Sequence, residues 1–299
     1  MSAIEVHNIT KSFGRVKALD GVTFEVNKGE LFGLIGPDGA GKTTLFRLLT
    51  TLLAPDEGWA TVDGMDIVKE YQLIRRCVGY MPGRFSLYPD LSVEENLNFF
   101  AALFGVTVEE NYELIAPIYS HIEPFKNRKA GKLSGGMKQK LALSCALIHS
   151  PSVLFLDEPT TGVDAVSRSE FWDMLAGLKS RGITILVSTP YMDEASRCDR
   201  VALCNEGRIL GVDTPTGIVE KNNSKLYKVA ASNMYALLTA ARGCRGVEEC
   251  YPFGEQHHLV VSSDFDPVQF LEELREMKDV TIEAIHPTIE DVFIKLMKR

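Results

Sequence analysis

A lysine and a threonine at the end of a glycine-rich run are residues that can hold phosphate. Gly36-Pro37-Asp38-Gly39-Ala40-Gly41-Lys42-Thr43 fits the pattern G-x-x-x-x-G-K-[ST], and Thr44 continues it. The three glycines let the backbone curl so that successive N–H groups point into one concavity, an anion nest. A helix beginning there adds its free N–H groups and the positive end of its dipole. Lys42 can reach the β- and γ-phosphates of a nucleotide, and the Thr43 hydroxyl can sit on Mg²⁺. This stretch is predicted to bind a nucleoside triphosphate. Asp38 puts a negative charge in a phosphate cradle, which is tolerable only with its side chain turned outward.

A second constellation is Asp157-Glu158, which closes the apolar run Val153-Leu154-Phe155-Leu156. In an open α/β sheet such strand ends face the ligand crevice. Phosphate-loop enzymes need one acid there for the metal and another group to orient the attacking water. Asp157 is assigned to the metal and Glu158 to the water. A third is Leu133-Ser134-Gly135-Gly136-Met137-Lys138-Gln139, where Ser134, Gly135 and Gly136 open a helix 23 residues before Asp157 and form another anion seat. One chain does not need two seats for one triphosphate. A head-to-tail dimer accounts for both, this seat capping the nucleotide on a partner's loop.

Elements must hold these residues in place. Glu30–Ile35 reads as an apolar strand entering the first loop, and Thr44–Leu49 as the helix leaving it. Ile4–Ile9 and Val22–Val26 alternate as half-buried strands. Between them Lys11-Ser12-Phe13-Gly14 reads as a turn, whose Phe13 either stacks on a base or packs into the core. Trp59–Gly64 and Val78–Gly83 are short strands entering loops. From Ser92-Val93-Glu94-Glu95, a capping box, the pattern becomes helical through Phe104, over Val108–Tyr119 and over Ser134–Ile148. A helical segment, about 88–150, is therefore inserted into an α/β core. Helices over Ser167–Lys179 and Met192–Cys198 alternate with strands Val153–Glu158, Thr184–Ser188, Arg200–Leu203 and Arg208–Leu210, giving a parallel sheet with βαβ crossovers.

The polar stretch Lys221-Asn222-Asn223-Ser224 marks a boundary between residues 1–222 and a second domain, 225–299. Beyond it come strands at Leu226–Ala230, Val247–Tyr251, His258–Ser262 and Thr281–Ile285. Helices are expected over Asn233–Ala241, Pro267–Met277 and Thr288–Lys298. The order βαββαβ plus a helix is that of a small α+β ferredoxin-like domain. His257-His258 reads as a strand end rather than a metal site.

Composition bounds the function. With 299 residues, 45% hydrophobic and 24% charged, the chain has material for one large domain and a small one. A net charge of −8 argues against a general nucleic-acid binder. No apolar run approaches the ~18 residues of a membrane span, and Met1–Glu5 lacks the basic and apolar regions of a secretory signal. The six cysteines contain no C-x-x-C pair, so reduced thiols in a cytoplasmic protein are expected.

The order of the phosphate loop, Leu133–Gln139, Leu154–Pro159 and Val163-Asp164 resembles the ATP-binding cassette (ABC) family of transporter ATPases over residues 3–220. The resemblance implies a P-loop NTPase core with an antiparallel β subdomain and an inserted α-helical subdomain, binding ATP and Mg²⁺. It also implies that Phe13 stacks on adenine, that Leu133–Met137 is the signature acting on a partner's nucleotide, and that Asp164 belongs to an inter-subunit loop. The partners it implies are a second ABC cassette, separate or fused in a longer protein, and integral membrane transport subunits. The helical insert would dock the latter near Arg84-Phe85-Ser86-Leu87-Tyr88, placing the chain on the inner face of the cell membrane. Gly36-Pro37-Asp38-Gly39 and Arg84–Leu91 are most similar to fused double-cassette multidrug exporter ATPases, and the tail through Pro287–Phe293 resembles the accessory domain of exporter cassettes.

Two positions depart from the family pattern. Gly83 stands where the family places a Gln that touches Mg²⁺ and the attacking water, and Pro190 stands where it places a His that contacts the γ-phosphate. Neither can replace the lost group, since Gly83 has no side chain and Pro190 lacks even a backbone N–H. The chain is therefore expected to bind MgATP but hydrolyse it poorly, while Ser134-Gly135-Gly136 completes a competent site on another cassette. Two further readings are an ABC ATPase working without a membrane partner, and a nucleotide-gated module with vestigial hydrolysis.

Overall fold

The computed structural model describes residues 1–222 and 225–298. The backbone divides into two compact units, Met1–Pro215 and Thr216–Arg299. The stretch expected as a boundary, Lys221–Ser224, follows this division, and its Asn223 and Ser224 lie outside the described residues.

The long strands β1 (Ser2–Phe13) and β2 (Val16–Asn27) open the chain. After the buried strand β3 (Leu31–Ile35) and helix α1 (Lys42–Leu49) come β4 (Glu57–Val62) and β5 (Met65–Asp66). These pair as an antiparallel sheet ordered β2-β1-β4-β5. Ile4, Val6 and Ile9 turn into the core while Glu5, His7 and Asn8 are more exposed, as one covered face requires. The turn expected over Lys11–Gly14 is a correction. The strand runs on to Phe13, because Asp56 accepts from the Lys11 ammonium at 2.6 Å and from the Ser12 N–H at 2.7 Å.

Helix α2 (Tyr71–Cys77), with no counterpart in the sequence reading, leads into β6 (Val78–Met81). The helical insert follows as α3 (Val93–Phe104), α4 (Tyr112–Tyr119) and α5 (Gly135–Leu147). Ser92 and Glu95 form the expected capping box: the Glu95 N–H donates to Ser92 Oγ at 3.1 Å and the Ser92 N–H to Glu95 Oε2 at 2.7 Å. The helix expected from Val108 begins only at Tyr112. Thr107 and Glu110 bond each other's backbone N–H instead, and that local closure competes with a helical turn.

The remaining elements of the first unit are β7 (Val153–Asp157), α6 (Ala165–Ser180), β8 (Thr184–Thr189), β9 (Arg200–Asn205) and β10 (Arg208–Asp213), and the short α7 (Pro215–Lys221) begins at the division between the units. Met192–Arg197 is a 3₁₀ helix rather than the expected α-helix, its Glu194 side chain drawn inward to Thr160 and Thr189. The second sheet is ordered β10-β9-β3-β8-β7-β6, parallel except at β10. Strands β3, β7 and β8 are buried at every residue, as covering a parallel sheet on both faces demands. Phe46 meets Phe155 edge-on at 6.0 Å, locking α1 to β7.

The second unit contains β11 (Lys225–Ala230), α8 (Met234–Ala241), β12 (Val247–Phe253), β13 (Gln256–Val261), α9 (Pro267–Glu273), β14 (Thr281–Ile285) and α10 (Ile289–Met297). Its sheet is ordered β12-β13-β11-β14 with every neighbour antiparallel, the ferredoxin-like arrangement. Asn233 and Thr288 cap their helices as side-chain acceptors. Helix α9 ends at Glu273, short of the expected Met277. His257 and His258 lie buried within β13, and His258 stacks on Phe253 at 4.0 Å.

Candidate functional site

Parallel register gathers the chemistry at one edge of the second sheet. Ile35 lies beside Thr189, Asp157 beside Ser188, and Met81 beside Leu156. The segments leaving β3, β8, β7 and β6 therefore emerge side by side, carrying Gly36, Pro190, Glu158 and Gly83. This is the crevice outside the carboxyl ends of the strands.

The loop itself is held by close backbone packing. Gly41 caps α1 with φ +96°, and a Cβ there would meet Ala18 O at 2.5 Å. Only glycine fits such a position. Lys42 is 3% exposed and donates to Gly36 O and Pro37 O, each at 2.8 Å. Its ammonium also lies 3.1 Å from Glu158 Oε1. Asp38 is exposed, as its charge requires. A cavity of about 420 Å³ opens over the loop, walled by Val16, Lys17, Gly39, Lys42, Thr43 and Glu158. Phe13 stands at the end of β1, paired with Val16, and is 49% exposed; Val16 and Lys17, rather than Phe13, form that wall.

Asp157 and Glu158 sit at the end of β7, fixed by Ser188. The Ser188 hydroxyl donates to Asp157 Oδ1 at 2.7 Å, and the Glu158 N–H donates to Ser188 O at 3.1 Å. Glu158 has φ +50°, a left-handed backbone that costs a non-glycine residue energy and turns its side chain toward Lys42. Tyr80, half-buried, has its hydroxyl pushed up to about 12 by burial and by the Asp157 charge, so it stays protonated.

Residue 83 lies against this pair. A Cβ built on Gly83 would be 3.0 Å from Asp157 O and 3.9 Å from Asp157 Cγ. A side chain there would begin at the Asp157 carboxyl; glycine leaves that place open. A second cavity of about 480 Å³ begins at Gly83, with Tyr80, Phe104, Gln139, His149 and Glu158 among its walls.

The Leu133–Met137 segment forms the opening of α5. Ser134 caps it, accepting from the Met137 N–H at 3.3 Å, and Ser134 and Gly135 are exposed. Leu133 anchors the segment, 6% exposed. Asp164 caps α6 by accepting from the Ser167 N–H at 3.0 Å. The Ser167 backbone and side chain hold its carboxyl below the usual range. Sequence reasoning passed over Ser188, Glu194 and Arg168. Ser188 left a signal in being polar at the end of an apolar strand. Glu194 left none, since a glutamate past a turn reads as surface.

A glycine-rich loop between a buried strand and a helix, with an Asp-Glu pair closing a neighbouring parallel strand, defines a P-loop nucleoside triphosphatase. Comparison with known proteins narrows the class. The family described as ABC transporter matches residues 19–161. The chain is 35% identical over 301 residues to the Nod factor export ATP-binding protein I of Rhizobium sp. (strain N33), covering 99% of this chain and 97% of that protein. It is 40% identical over 279 residues to the probable multidrug ABC transporter ATP-binding protein YbhF of Escherichia coli (strain K12), covering 91% of this chain. The match takes in 48% of that relative, so the chain spans about half its length. A solved dimeric bacterial ABC transporter cassette superposes with a TM-score of 0.64 at 26% identity, over 71% of this chain and 98% of its own. The chain belongs to the ABC transporter family and carries its ATP-binding cassette.

Proposed function

We propose that the chain is the ATP-binding subunit of an ABC exporter, coupling ATP binding and hydrolysis at a cassette dimer interface to transport by membrane subunits. Its own nucleotide site is weakened at Gly83 and Pro190. The observation that carries this reading is the γ-phosphate edge of the crevice. Lys42, Asp157 and Glu158 stand along it, while residue 83, whose Cβ would lie 3.9 Å from the Asp157 carboxyl carbon, has no side chain and the residue after Thr189 has no N–H.

The chain's own residues suit MgATP. The Lys42 ammonium, now shared with two carbonyls and Glu158, can turn to the β- and γ-phosphates. The Thr43 hydroxyl and the free oxygen of Asp157 are hard donors of the kind Mg²⁺ takes, one carboxylate with waters and phosphates completing the shell. The ion would neutralise charge on the phosphates. Glu158 would orient the attacking water and accept its proton, and Ser188 holds Asp157 in place. Phe13 and Val16 would carry the adenine. Losing one transition-state donor commonly costs about 10²–10³ in rate, and this site lacks two.

The seat at Ser134, Gly135 and Gly136, with Ser134 and Gly135 exposed at a helix N-terminus, is the part that would serve a second cassette, with Asp164 at the same interface. A similar cassette described as dimeric supports pairing of two cassettes. Export follows the name of the Nod factor relative. The exposed Phe85, Tyr88, Phe99 and Leu103 suit a membrane subunit's docking segment, which would hold the chain at the inner face of the membrane. No helix among the described residues is long and apolar enough to cross a membrane.

The test is ATP turnover by the chain alone and with a second, hydrolytically competent cassette from the same transporter. Slow turnover alone is expected, with a large rise on mixing. Ser134→Arg in this chain should remove at least about tenfold of that rise. A rise untouched by Ser134→Arg contradicts the seat's role.

A further inference from the structure

A buried carboxylate that the nucleotide chemistry does not use joins the γ-phosphate edge to the Ser134–Gly136 seat. The Glu194 side chain is 3% exposed. Its Oε2 accepts from Thr189 Oγ1 at 2.5 Å and from Thr160 Oγ1 at 3.1 Å. The Tyr191 N–H in turn donates to Thr189 Oγ1 at 3.0 Å, so Glu194 fixes both sides of Pro190. The phosphate loop is tied to the same turn, its Gly36 N–H donating to Thr189 O at 3.2 Å.

The other oxygen of Glu194 is unused. Oε1 has no hydrogen-bond partner among the described residues, and neither has Arg168 Nε, which faces it from 3.7 Å. The guanidinium lies 4.3 Å over the Tyr191 ring, and its far end is 3.7 Å from Asp193 Oδ2. Two opposite charges thus stand just beyond bonding distance in a place where an unmade bond is expensive. A shift of about 1 Å would close the gap to a charge-assisted hydrogen bond.

From Arg168 the contacts continue to the seat. Its backbone N–H donates to Asp164 O at 2.9 Å, in the first turn of α6. Beside it, Ser167 Oγ lies 3.0 Å from where a Cβ on Gly136 would stand. Helix α5 therefore rests its N-terminus on that of α6, and a side chain at 136 would need Ser167 to give by a few tenths of an ångström.

We propose that Glu194 is a positioning residue that links this chain's own nucleotide loop to the seat it offers a partner. Nucleotide on the loop moves Gly36 and, through Thr189, the turn and Glu194. Glu194 then closes on Arg168, and the N-terminus of α6 carries that of α5 with it. A turn bearing Pro190 has no side chain to feel the phosphate, so its backbone and Glu194 are the route left for the signal. The proposal rests on reading Ser134–Gly136 as a seat for a partner's nucleotide.

Hydrogen exchange on the full chain, at concentrations where sedimentation shows a monomer, tests the link without a partner. Saturating Mg²⁺ and a non-hydrolysable ATP analogue should slow exchange of the 134–138 amides about fivefold or more in the wild type. Glu194→Gln keeps an oxygen for both threonine hydroxyls but loses the charge, and Arg168→Met removes the other partner. Either should cut the slowing below about twofold while affinity for a fluorescent ATP analogue stays within about twofold. Wild-type slowing in both variants overturns the proposal. So does a merely structural outcome, in which affinity falls and exchange rises across 134–167 before nucleotide is added. A wild type without any response overturns it too, leaving the Ser134→Arg result to stand or fall separately.

Discussion

Lys42 divides its donors among Gly36 O, Pro37 O and Glu158 Oε1, and all three contacts must loosen for it to hold a phosphate. The ion pair with Glu158 joins the residue that would grip the nucleotide to the one that would activate water. Lys42→Ala should weaken MgATP binding at least about tenfold, the worth of a charge-assisted hydrogen bond, as read by equilibrium titration. The rate, slow under the proposed function, should change less. Gly83→Gln tests the opposite direction. The new Cβ would be tight against Asp157 O at 3.0 Å, but the cavity of about 480 Å³ beyond gives the side chain room. Gly83→Gln with Pro190→His should raise single-site turnover by about tenfold or more, toward the value lost with two donors. No gain with binding intact would mean that the missing groups are not what limits the rate. At this scale the sequence was informative wherever chemistry and spacing coincide: the loop, the Asp157-Glu158 pair, and the two departures. Ser188, Glu194 and Arg168 were illegible because their meaning depends on which strand ends stand next to one another.

Capped helix starts were the most legible elements. Ser92 and Glu95 close the capping box that their spacing indicates, and Asn233 and Thr288 cap helices at their expected starts. Elements misread from sequence were those where a side chain outcompetes the backbone pattern: Asp56 extending β1, Thr107 with Glu110 delaying α4, Glu194 tightening Met192–Arg197. Helix α10 shows what a single carboxylate can fix. Burial alone would raise the Asp291 carboxyl. The Thr288 N–H, His258, the Thr288 hydroxyl and the Tyr251 hydroxyl outweigh that and hold it below the usual range. A depressed folded value means the stabilisation is complete above the unfolded value near 3.9 and is lost as pH falls through the folded one. Asp291→Ala should therefore destabilise α10 by about 2–3 kcal/mol at pH 7. Hydrogen exchange of residues 289–297 should report it. In the wild type the same loss should develop only below about pH 4, and equal protection in both proteins at pH 7 would refute the latch.

At the level of the whole chain, alternation of strands and helices correctly implied a parallel α/β core, and the order βαββαβ implied the ferredoxin-like sheet β12-β13-β11-β14. What could not be read was strand order in the core sheet, which puts β8 between β3 and β7 and so brings Pro190 between the phosphate loop and Glu158. That order sets the two departures on either side of Asp157-Glu158 in one crevice. Under the proposed function this crevice holds MgATP and scarcely hydrolyses it. A single-turnover experiment on the purified chain alone, following γ-phosphate release from bound radiolabelled MgATP, decides the matter. Tight binding with release slowed by about tenfold or more relative to the Gly83→Gln, Pro190→His variant is the predicted result. Brisk release by the wild-type chain, abolished by Glu158→Gln, would contradict it.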